Sequence, residues 1–315
     1  MAFQVDEKLR NELGRVAVIY GGNSSERSVS LKSGAAVLSA LTRAGVDAFG
    51  IDLYGETGDE NPFGQLQKEP FDRAFLILHG PVGEDGTLQG ALEMLGKPYT
   101  GSGVAASAIG MDKLRTKLIW LGHNLPTPPF AVISEDQDLS EVARRLGWPM
   151  IVKPAHEGSS LGMSKVRSES ELSEALRAAE KFDRSVIAER WMSGGEYTVA
   201  ILDGKALPPI QLITQRDFYD FDAKYVADDT QYRFAHDLSA EQEDELKRLA
   251  EKAFLTVGCR GWGRVDVMRD SHGAFQLLEV NTAPGMTDHS LVPMAAREQG
   301  ISFEELVVEI VKTAV

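Results

Sequence analysis

The sequence predicts an α/β protein of two or three domains, and three observations carry that prediction. The chain has 315 residues, which is too long for one small core. Its first third repeats an apolar run, a polar loop and a helical pattern, the order typical of α/β units. Near the C-terminus, two segments alternate apolar and functional side chains, as strands with two different faces do.

The first third of the chain is predicted to form an open parallel sheet with flanking helices. Residues 15–20, 48–53 and 74–78 are short apolar runs, and each is expected to be a strand. Helical patterns follow the first and third of these runs, at about residues 28–43 and 88–95. Ligands of such sheets bind at the carboxyl ends of the strands, so the loops there are candidate binding loops.

Two further units follow, and the predicted domains are residues 1–105, 106–190 and 191–315. The middle unit mixes helices with strands, and the last unit ends in a hairpin. In chain order, their main elements are expected at residues 111–121 (helix), 139–146 (helix), 148–154 (strand), 163–166 (strand), 170–181 (helix), 186–190 (strand), 197–202 (strand), 207–213 (strand) and 240–257 (helix).

Composition and charge limit the class of partner. The formal net charge of −14 argues against nucleic acid, whose partners present basic patches. A nucleotide is still compatible, because a few lysines and a metal reverse the field inside a cleft. No apolar run approaches the roughly 20 residues of a membrane-spanning helix. With a single cysteine no internal disulfide can form, which fits a reducing cytoplasm.

The two alternating segments near the C-terminus predict a metal site. If a tight turn is centred on residues 272–273, Asp266 lies opposite Glu279, and Arg264 lies opposite Asn281 on the same face. Two carboxylates and an amide oxygen are hard ligands that suit Mg²⁺ bridging phosphates. An edge hairpin with a solvated charged face is the alternative. The opposite face, against a core, is expected to carry Val265, Val267, Leu278 and Val280.

A second candidate phosphate site is the loop 156–162, which has the sequence His-Glu-Gly-Ser-Ser-Leu-Gly. Its glycines let the backbone approach a ligand, and its N–H groups and hydroxyls can bind phosphate oxygens. Lys153 ends the preceding strand, where its ammonium could reach the same phosphates. The loop is not a P-loop, because the Gly-Lys-Ser/Thr ending is missing. A flexible hairpin loop is the alternative, and Lys153 together with the later carboxylates favours phosphate binding.

Polar residues at strand ends suggest a small-molecule site. Glu26 could bind a substrate ammonium, although by itself a favourable charge in the first turn of a helix explains it better. His79 also ends a strand, and taken alone an ordinary loop histidine explains it better than ligand contact. The Gly285 N–H and Arg264 could stabilise a developing oxyanion. The Ser290 hydroxyl and a backbone N–H could bind a carboxylate, and a turn after a strand is the alternative.

Several motifs occur in a fixed order between about residue 14 and residue 312. They are Gly21-Gly22-Asn23-Ser24-Ser25-Glu26, Leu78-His79-Gly80, Gly83-Glu84-Asp85-Gly86, Met111-Asp112-Lys113, Glu157-Gly158-Ser159-Ser160, Tyr225, Gly263-Arg264-Val265-Asp266 and Glu279-Val280-Asn281-Thr282-Ala283-Pro284-Gly285-Met286-Thr287. In this order they resemble the D-alanine–D-alanine ligase family. The resemblance implies the ATP-grasp fold, with an N-terminal open parallel-sheet domain followed by two ATP-grasp subdomains.

The resemblance also implies a role for each candidate residue. The metal ligands, for two Mg²⁺ or Mn²⁺ ions, would be Asp266, Glu279 and Asn281. ATP would be bound by Lys113, Lys153, Glu157, Ser159, Ser160, Glu189, Trp191, Met192, Glu196 and Lys224. The two D-alanine molecules would be bound by Glu26, His79, Arg264, Gly285, Ser290 and Leu291. Catalysis would depend on Glu26, Ser159, Tyr225, Arg264, Gly285 and Ser290.

The implied activity is ATP-dependent ligation of two D-alanine molecules through an acylphosphate, for peptidoglycan synthesis. The implied protein is a cytoplasmic homodimer, with no nucleic-acid or membrane partner, and its segment 218–234 closes over the site. Tyr225 favours the dipeptide, since relatives that make D-alanyl-D-lactate carry Phe there. A ligase for D-serine or D-lactate, a regulator without turnover and a generic kinase are the alternatives. The chain departs from some relatives at Gly195, from many at Ala283, and at His156 from the Arg that is frequent there.

Overall fold

The computed structural model describes residues 3–158, 160–214, 230–234, 237–287 and 290–315. Within these ranges the chain forms one parallel and two antiparallel sheets, flanked by helices, so the predicted α/β class is confirmed. No helix in the described ranges is both long enough and apolar enough to cross a membrane.

The N-terminal sheet is parallel, as predicted, with the strand order β2-β1-β3. Its strands are β1 (Val16–Gly21), β2 (Ala48–Leu53) and β3 (Arg73–Leu76). The central strand β1 is almost entirely buried, because apolar side chains cover both of its faces. The helices of this region are α1 (Glu7–Leu13), α2 (Arg27–Arg43), α3 (Pro62–Lys68) and α4 (Thr87–Met94).

Two helices, α5 (Val104–Met111) and α6 (Lys113–Gly122), connect the N-terminal sheet to the rest of the chain. The predicted helix over residues 111–121 therefore begins two residues later than expected. The reason is Asp112, whose backbone is extended and whose carboxylate accepts the Arg115 N–H at 2.9 Å, as an N-cap does. This cap makes Lys113 the first residue of α6.

The central sheet is antiparallel, with the order β4-β7-β5-β6. Its strands are β4 (Phe130–Ile133), β5 (Met150–Pro154), β6 (Ser164–Val166) and β7 (Val186–Arg190). Helices α7 (Leu139–Leu146) and α8 (Glu169–Ala179) bury their apolar side chains in the same cluster as these strands. Strand β4 was not predicted, because it is short and half of its side chains are exposed or partly exposed.

The third sheet has the order β11-β10-β8-β12-β13, with β9 paired to β8. Its strands are β8 (Glu196–Leu202), β9 (Lys205–Ala206), β10 (Ile210–Ile213), β11 (Gln231–Arg233), β12 (Trp262–Arg269) and β13 (Phe275–Asn281). Helix α9 (Ala240–Thr256) packs on this sheet and begins with a capping box between Ser239 and Gln242. Trp120 of α6 joins the same core and donates a hydrogen bond to the Ala253 carbonyl at 3.0 Å.

The predicted register of the β12–β13 hairpin is confirmed at the functional positions. Asp266 pairs with Glu279, and Arg264 pairs with Asn281. The register shifts by one residue after Asp266, which is a β-bulge. The expectation that Leu278 faces the core is wrong: Leu278 lines a cavity, and Leu277 is fully buried instead, because the bulge turns the intervening residue to the other face.

The last two helices, α10 (Leu291–Glu298) and α11 (Phe303–Lys312), return to the N-terminal sheet. Their apolar side chains belong to one core cluster that also contains residues of β1, α2 and β8. At the centre of this cluster the rings of Phe75 and Trp262 lie 5.9 Å apart. The N-terminal sheet is therefore fixed against the third sheet by a shared core.

Replacing Trp262 with Ala should lower the free energy of unfolding by about 3–5 kcal/mol, because it opens a cavity in this shared core. Urea denaturation measures the effect. Trp148→Ala is the matched control, since Trp148 is 41% exposed and its replacement should change stability by less than about 1 kcal/mol. Equal stability of Trp262→Ala and the native chain would contradict the shared core.

Candidate active site

A cavity of about 420 Å³ lies between the central sheet and the third sheet. Its walls come from β5, β7, the loop 156–162 (the Gly-rich loop) and the face of β12 and β13 that carries Asp266 and Glu279. A concave site of this size, between two units of structure, suits a small molecule. The predicted ligand residues that line it are Lys113, Lys153, Glu157, Ser160, Glu189, Trp191, Met192, Glu196, Asp266 and Glu279.

A buried ion triad lies at the back of this cavity. Glu189 is 1% exposed, and its two carboxylate oxygens lie 3.1 Å from Lys117 Nζ and 3.0 Å from Lys153 Nζ. Lys117 Nζ also donates to Thr127 Oγ1 at 2.6 Å. Burial would raise the pKa of Glu189, but the two lysines lower it below its usual range. Glu189 therefore stays ionised and holds Lys153 at the cavity wall.

Lys117 was missed at the sequence level. It follows Lys113 by four residues on α6, and this spacing is too ordinary to indicate a buried charge. Its side chain is fully buried, and burial lowers the pKa of its ammonium to about 8, with Lys153 adding to the effect and Glu189 opposing it.

Lys113 connects the Gly-rich loop to β13. Its Nζ donates to the Glu157 carbonyl at 2.6 Å and lies 3.6 Å from Glu279 Oε2. Ser160 of the same loop has a φ of +61°, a left-handed conformation that is uncommon for residues other than glycine. The described part of the loop therefore bends at Ser160 and is attached to Lys113 through the Glu157 carbonyl.

The predicted metal ligands offer oxygens on the cleft side of the hairpin. Asp266 accepts the Thr198 hydroxyl at 2.6 Å and two hydrogen bonds from the Arg264 guanidinium, at 2.9 and 2.8 Å. Glu279 stands opposite Asp266, and Asn281 Oδ1 accepts the Ala283 N–H at 3.1 Å. Among the described residues, no group of three or more His, Cys, Asp or Glu side chains could hold a metal. The set therefore fits a hard cation only with the amide oxygen and ligand oxygens added.

Glu26 and Gly80 form a second, smaller part of the site at the end of the N-terminal sheet. Glu26 occupies the N-cap position of α2, but within the described residues its carboxylate makes no cap hydrogen bond. A Cβ placed on Gly80 would lie 3.2 Å from Glu26 Oε2, and one placed on Gly158 would lie 3.3 Å from it. The buried carboxylate therefore stands where the N-terminal loops meet the Gly-rich loop.

His79 lies beside Glu26 with one ring nitrogen available. Its Nδ1 lies 3.0 Å from the Ala283 carbonyl, which only accepts, so Nδ1 carries the hydrogen. Burial lowers the pKa of His79, although Glu26 opposes the shift. A neutral ring protonated on Nδ1 has an acceptor at Nε2, and this buried atom has no partner among the described residues. It is available to accept a hydrogen bond from a ligand.

Glu84 was quoted in a motif but given no role at the sequence level. Its Oε2 accepts the Gly80 N–H at 2.6 Å, which fixes the loop that carries His79. Burial, with the nearby charge of Glu26 adding to it, raises the pKa of Glu84 to about 8. No periodicity distinguishes this carboxylate from the solvated acids around it.

Ser290 stands at the N-terminus of α10. Its Oγ accepts the Thr287 N–H at 2.9 Å, and a Cβ placed on Gly285 would lie 2.9 Å from the same oxygen. Ser290 occupies the N-cap position, Leu291 is the first residue of the helix, and a helix N-terminus favours an anion. The Ser290 hydroxyl and the Gly285 backbone therefore lie close together at the start of α10.

Three predicted site residues, Ser159, Lys224 and Tyr225, lie outside the described residues, as do residues 218–229 of the predicted closing segment. Their roles stay predictions. The roles of the other site residues also stay predictions. Part of the set lines the cavity, whereas Glu26 and His79 lie at the end of the N-terminal sheet and Ser290 lies at the start of α10.

Family models match most of the chain. One described as D-ala D-ala ligase C-terminus covers residues 119–312, and one described as D-ala D-ala ligase N-terminus covers residues 55–102. The D-alanine–D-alanine ligase of Ectopseudomonas mendocina (strain ymp) is 58% identical over 302 residues, which cover 96% of this chain and 95% of that protein. The D-alanine–D-alanine ligase of Laribacter hongkongensis (strain HLHK9) is 53% identical over 310 residues, which cover 98% of this chain and 99% of that protein.

Solved structures agree with the sequence matches. The crystal structure of D-alanine–D-alanine ligase from Bacillus anthracis superposes with a TM-score of 0.83 at 35% identity, covering 95% of this chain and 96% of that one. A crystal structure of the same enzyme complexed with ATP superposes with a TM-score of 0.81 at 32% identity, covering 95% and 97%. The two antiparallel sheets that enclose the cavity form an ATP-grasp fold. The chain belongs to the D-alanine–D-alanine ligase family.

Lys117→Met should lower the free energy of unfolding by about 3 kcal/mol at neutral pH, because Glu189 loses one of two buried cations. A pH effect is also expected. Lys117 has a folded pKa of about 8, below its ordinary value of 10.5. Between these values the unfolded chain binds more protons, so Lys117 makes stability rise with pH in this window.

Thermal and urea unfolding of the native protein and of Lys117→Met, from about pH 7 to about pH 10, gives the free energy of unfolding of each as a function of pH. The difference between the two curves is the contribution of Lys117. Lys252→Met, at an exposed position of α9, is the control and should follow the native profile. Parallel profiles of the native protein and Lys117→Met would contradict the lowered pKa.

Proposed function

We propose that this protein joins two D-alanine molecules into D-alanyl-D-alanine at the expense of ATP, with ADP and phosphate as products. The observation that carries the proposal is that the Glu26 carboxylate lies beside the loop that lines the cavity. Lys113, Lys153 and Glu279 line its nucleotide-sized part. Glu26 and His79 lie next to this cavity: a Cβ placed on Gly158, which lines it, would be 3.3 Å from Glu26 Oε2.

The first step needs an anchored amino acid. Glu26 attracts the ammonium of the first D-alanine, and His79 Nε2 accepts one of its hydrogens. The free carboxylate then attacks the γ-phosphorus of ATP, the bond from that phosphorus to the β–γ bridging oxygen breaks, and ADP leaves. Lys113 and Lys153 reduce the negative charge that repels the attacking carboxylate.

Asp266, Glu279 and Asn281 would hold Mg²⁺ or Mn²⁺, two ions per site in this proposal. When bound, the metal neutralises phosphate charge and orients the oxygens that react. The role of the protein residues is positional. Thr198 and Arg264 orient the Asp266 carboxylate, and the hairpin register holds Glu279 opposite it.

In the second step the amine of the second D-alanine, after loss of a proton, attacks the acylphosphate carbonyl. The carbon–oxygen bond to phosphate then breaks and the peptide bond forms. The Arg264 guanidinium and the Gly285 N–H stabilise the oxyanion. Ser290 and the N-terminus of α10 bind the carboxylate of the second D-alanine.

The product is used for peptidoglycan synthesis in the cytoplasm. The protein is a homodimer, and a light-scattering mass equal to that of one chain would contradict this oligomeric state. Ser159 and Tyr225 orient Glu26, and Lys224 reaches the γ-phosphate. Tyr225 favours an amine as the second substrate.

Phosphate release from ATP, measured with D-alanine, L-alanine, D-serine and D-lactate in parallel, tests the proposed function. D-alanine should support turnover, and L-alanine should not. D-lactate or D-serine should act poorly as the second substrate beside D-alanine. Turnover with D-alanine no higher than without any amino acid would refute the ligase proposal.

Asp266→Asn should reduce kcat by at least about a thousandfold while leaving the fold intact, because the proposed metal site loses one of its two carboxylate charges. Phosphate release and far-ultraviolet circular dichroism measure the two effects. Asp244→Asn, on the exposed face of α9, is the control and should retain full activity. A folded and fully active Asp266→Asn protein would show that this carboxylate is not a metal ligand.

A further inference from the structure

The Ser24 hydroxyl connects two residues of the proposed site for the first D-alanine. Its Oγ donates a hydrogen bond to the His79 carbonyl at 2.8 Å and accepts one from the Glu26 N–H at 3.2 Å. Ser24 and His79 are 55 residues apart in the chain. One small side chain therefore joins the loop that precedes α2 to the loop that follows β3.

The peptide group between His79 and Gly80 is held at both of its polar atoms. Its carbonyl oxygen accepts the hydrogen bond from Ser24, and its N–H donates to Glu84 Oε2 at 2.6 Å. A peptide group is planar and includes the Cα atoms on both sides, so two hydrogen bonds at opposite edges fix the orientation of the plane. Ser24 and Glu84 thus set the position of the His79 Cα atom.

A separate contact orients the ring of His79. Its Nδ1 lies 3.0 Å from the Ala283 carbonyl, whereas its buried Nε2 has no partner among the described residues. The backbone of His79 is held by Ser24 and its ring by Ala283. Two independent anchors therefore determine where the Nε2 acceptor stands relative to Glu26.

The two loops also pack closely against each other at Ser24. A Cβ placed on Gly80 would lie 3.3 Å from Ser24 Cβ and from Ser24 Oγ, and 3.2 Å from Glu26 Oε2. Gly80 has a φ of +74°, a conformation that glycine adopts readily. The hydrogen bonds of Ser24 therefore act where the loops already touch, which leaves little room for either loop to shift.

A second serine, Ser30, connects the same sheet without touching the two ligand-binding side chains. Its fully buried hydroxyl accepts the Gly21 N–H at 2.9 Å and donates to the Ile77 carbonyl at 2.7 Å. These contacts join the end of β1 to the residue that follows β3. The hydroxyl of Ser30 thus stabilises the sheet, whereas that of Ser24 contacts Glu26 and His79 directly.

We propose that Ser24 is a positioning residue for the first D-alanine, whose hydroxyl holds Glu26 and His79 at the separation at which both accept hydrogens of one substrate ammonium. This inference rests on the proposed function. The hydrogens of an ammonium point in fixed directions, so both acceptors are used only when their separation is correct. This ammonium reacts in neither step. Its contacts are therefore equal in the ground state and the transition state, and weakening them raises KM without lowering kcat.

The test uses Ser24→Ala, which removes the hydroxyl, and Ser24→Cys, which keeps its shape but has only a weak donor. Phosphate release, measured over a range of ATP and D-alanine concentrations, gives one Michaelis constant for ATP and one for each D-alanine. Ser24→Ala should raise one D-alanine constant about three- to tenfold, as expected for the loss of one hydrogen bond. The other two constants and kcat should stay within about twofold. Ser24→Cys should change the same constant in the same direction.

Two further variants are controls. Ser25→Ala replaces the exposed neighbour in the same loop and should leave all three constants and kcat unchanged. Ser30→Ala should lower the Tm in thermal unfolding, because it leaves buried backbone groups without a partner, and it should leave both D-alanine constants unchanged. This variant separates a general loosening of the sheet from the specific effect of Ser24.

Native constants in Ser24→Ala or in Ser24→Cys would overturn the proposal. A parallel rise of all three constants, or an equal rise in Ser30→Ala, would also overturn it, because the effect would then be a general one. If Ser24→Ala does not fold, Ser24→Cys decides by the same criterion. Absence of turnover by the native protein with D-alanine would instead refute the ligase proposal, and the role of Ser24 with it.

Discussion

The pairing of β12 with β13 is the constraint on which the site depends. Backbone hydrogen bonds of an antiparallel pair fix which side chains stand opposite one another, with no freedom in the choice. Asp266 and Glu279 are opposed in this way, and Arg264 is opposed to Asn281. The carboxylates are held against their mutual repulsion by the sheet, and Arg264 offsets part of that repulsion through two hydrogen bonds to Asp266.

A strongly acidic chain binds an anionic substrate by concentrating cations at one place. The net charge is −14, yet Lys113, Lys117 and Lys153 converge behind one cavity. Burying the ammonium groups of Lys117 and Lys153 costs free energy, because they lose their hydration. Glu189 offsets this cost by pairing with both lysines. The arrangement fixes the Lys153 ammonium at the cavity wall.

The N-terminal part of the site depends on contacts between distant parts of the chain. The core around Phe75 and Trp262 fixes the N-terminal sheet against the third sheet. His79 is consequently oriented by a carbonyl from the far end of the chain, that of Ala283. Its tautomer, and with it the acceptor at Nε2, is decided by a contact that spans 204 residues. Glu84 holds the neighbouring Gly80 N–H from within the same loop.

The sequence by itself determined the α/β class, the parallel N-terminal strands and the opposition of Asp266 to Glu279. These features follow from local periodicity and turn chemistry, which neighbouring residues carry. Only the tertiary structure decided that Leu278 leaves the core, that Lys117 is a buried cation and that the Ser24 hydroxyl joins Glu26 to His79. A bulge depends on how two strands and their neighbours pack, and the state of a charge depends on groups far away in the sequence. Neither the bulge nor the charge state therefore leaves a recognisable pattern among neighbouring residues of the sequence.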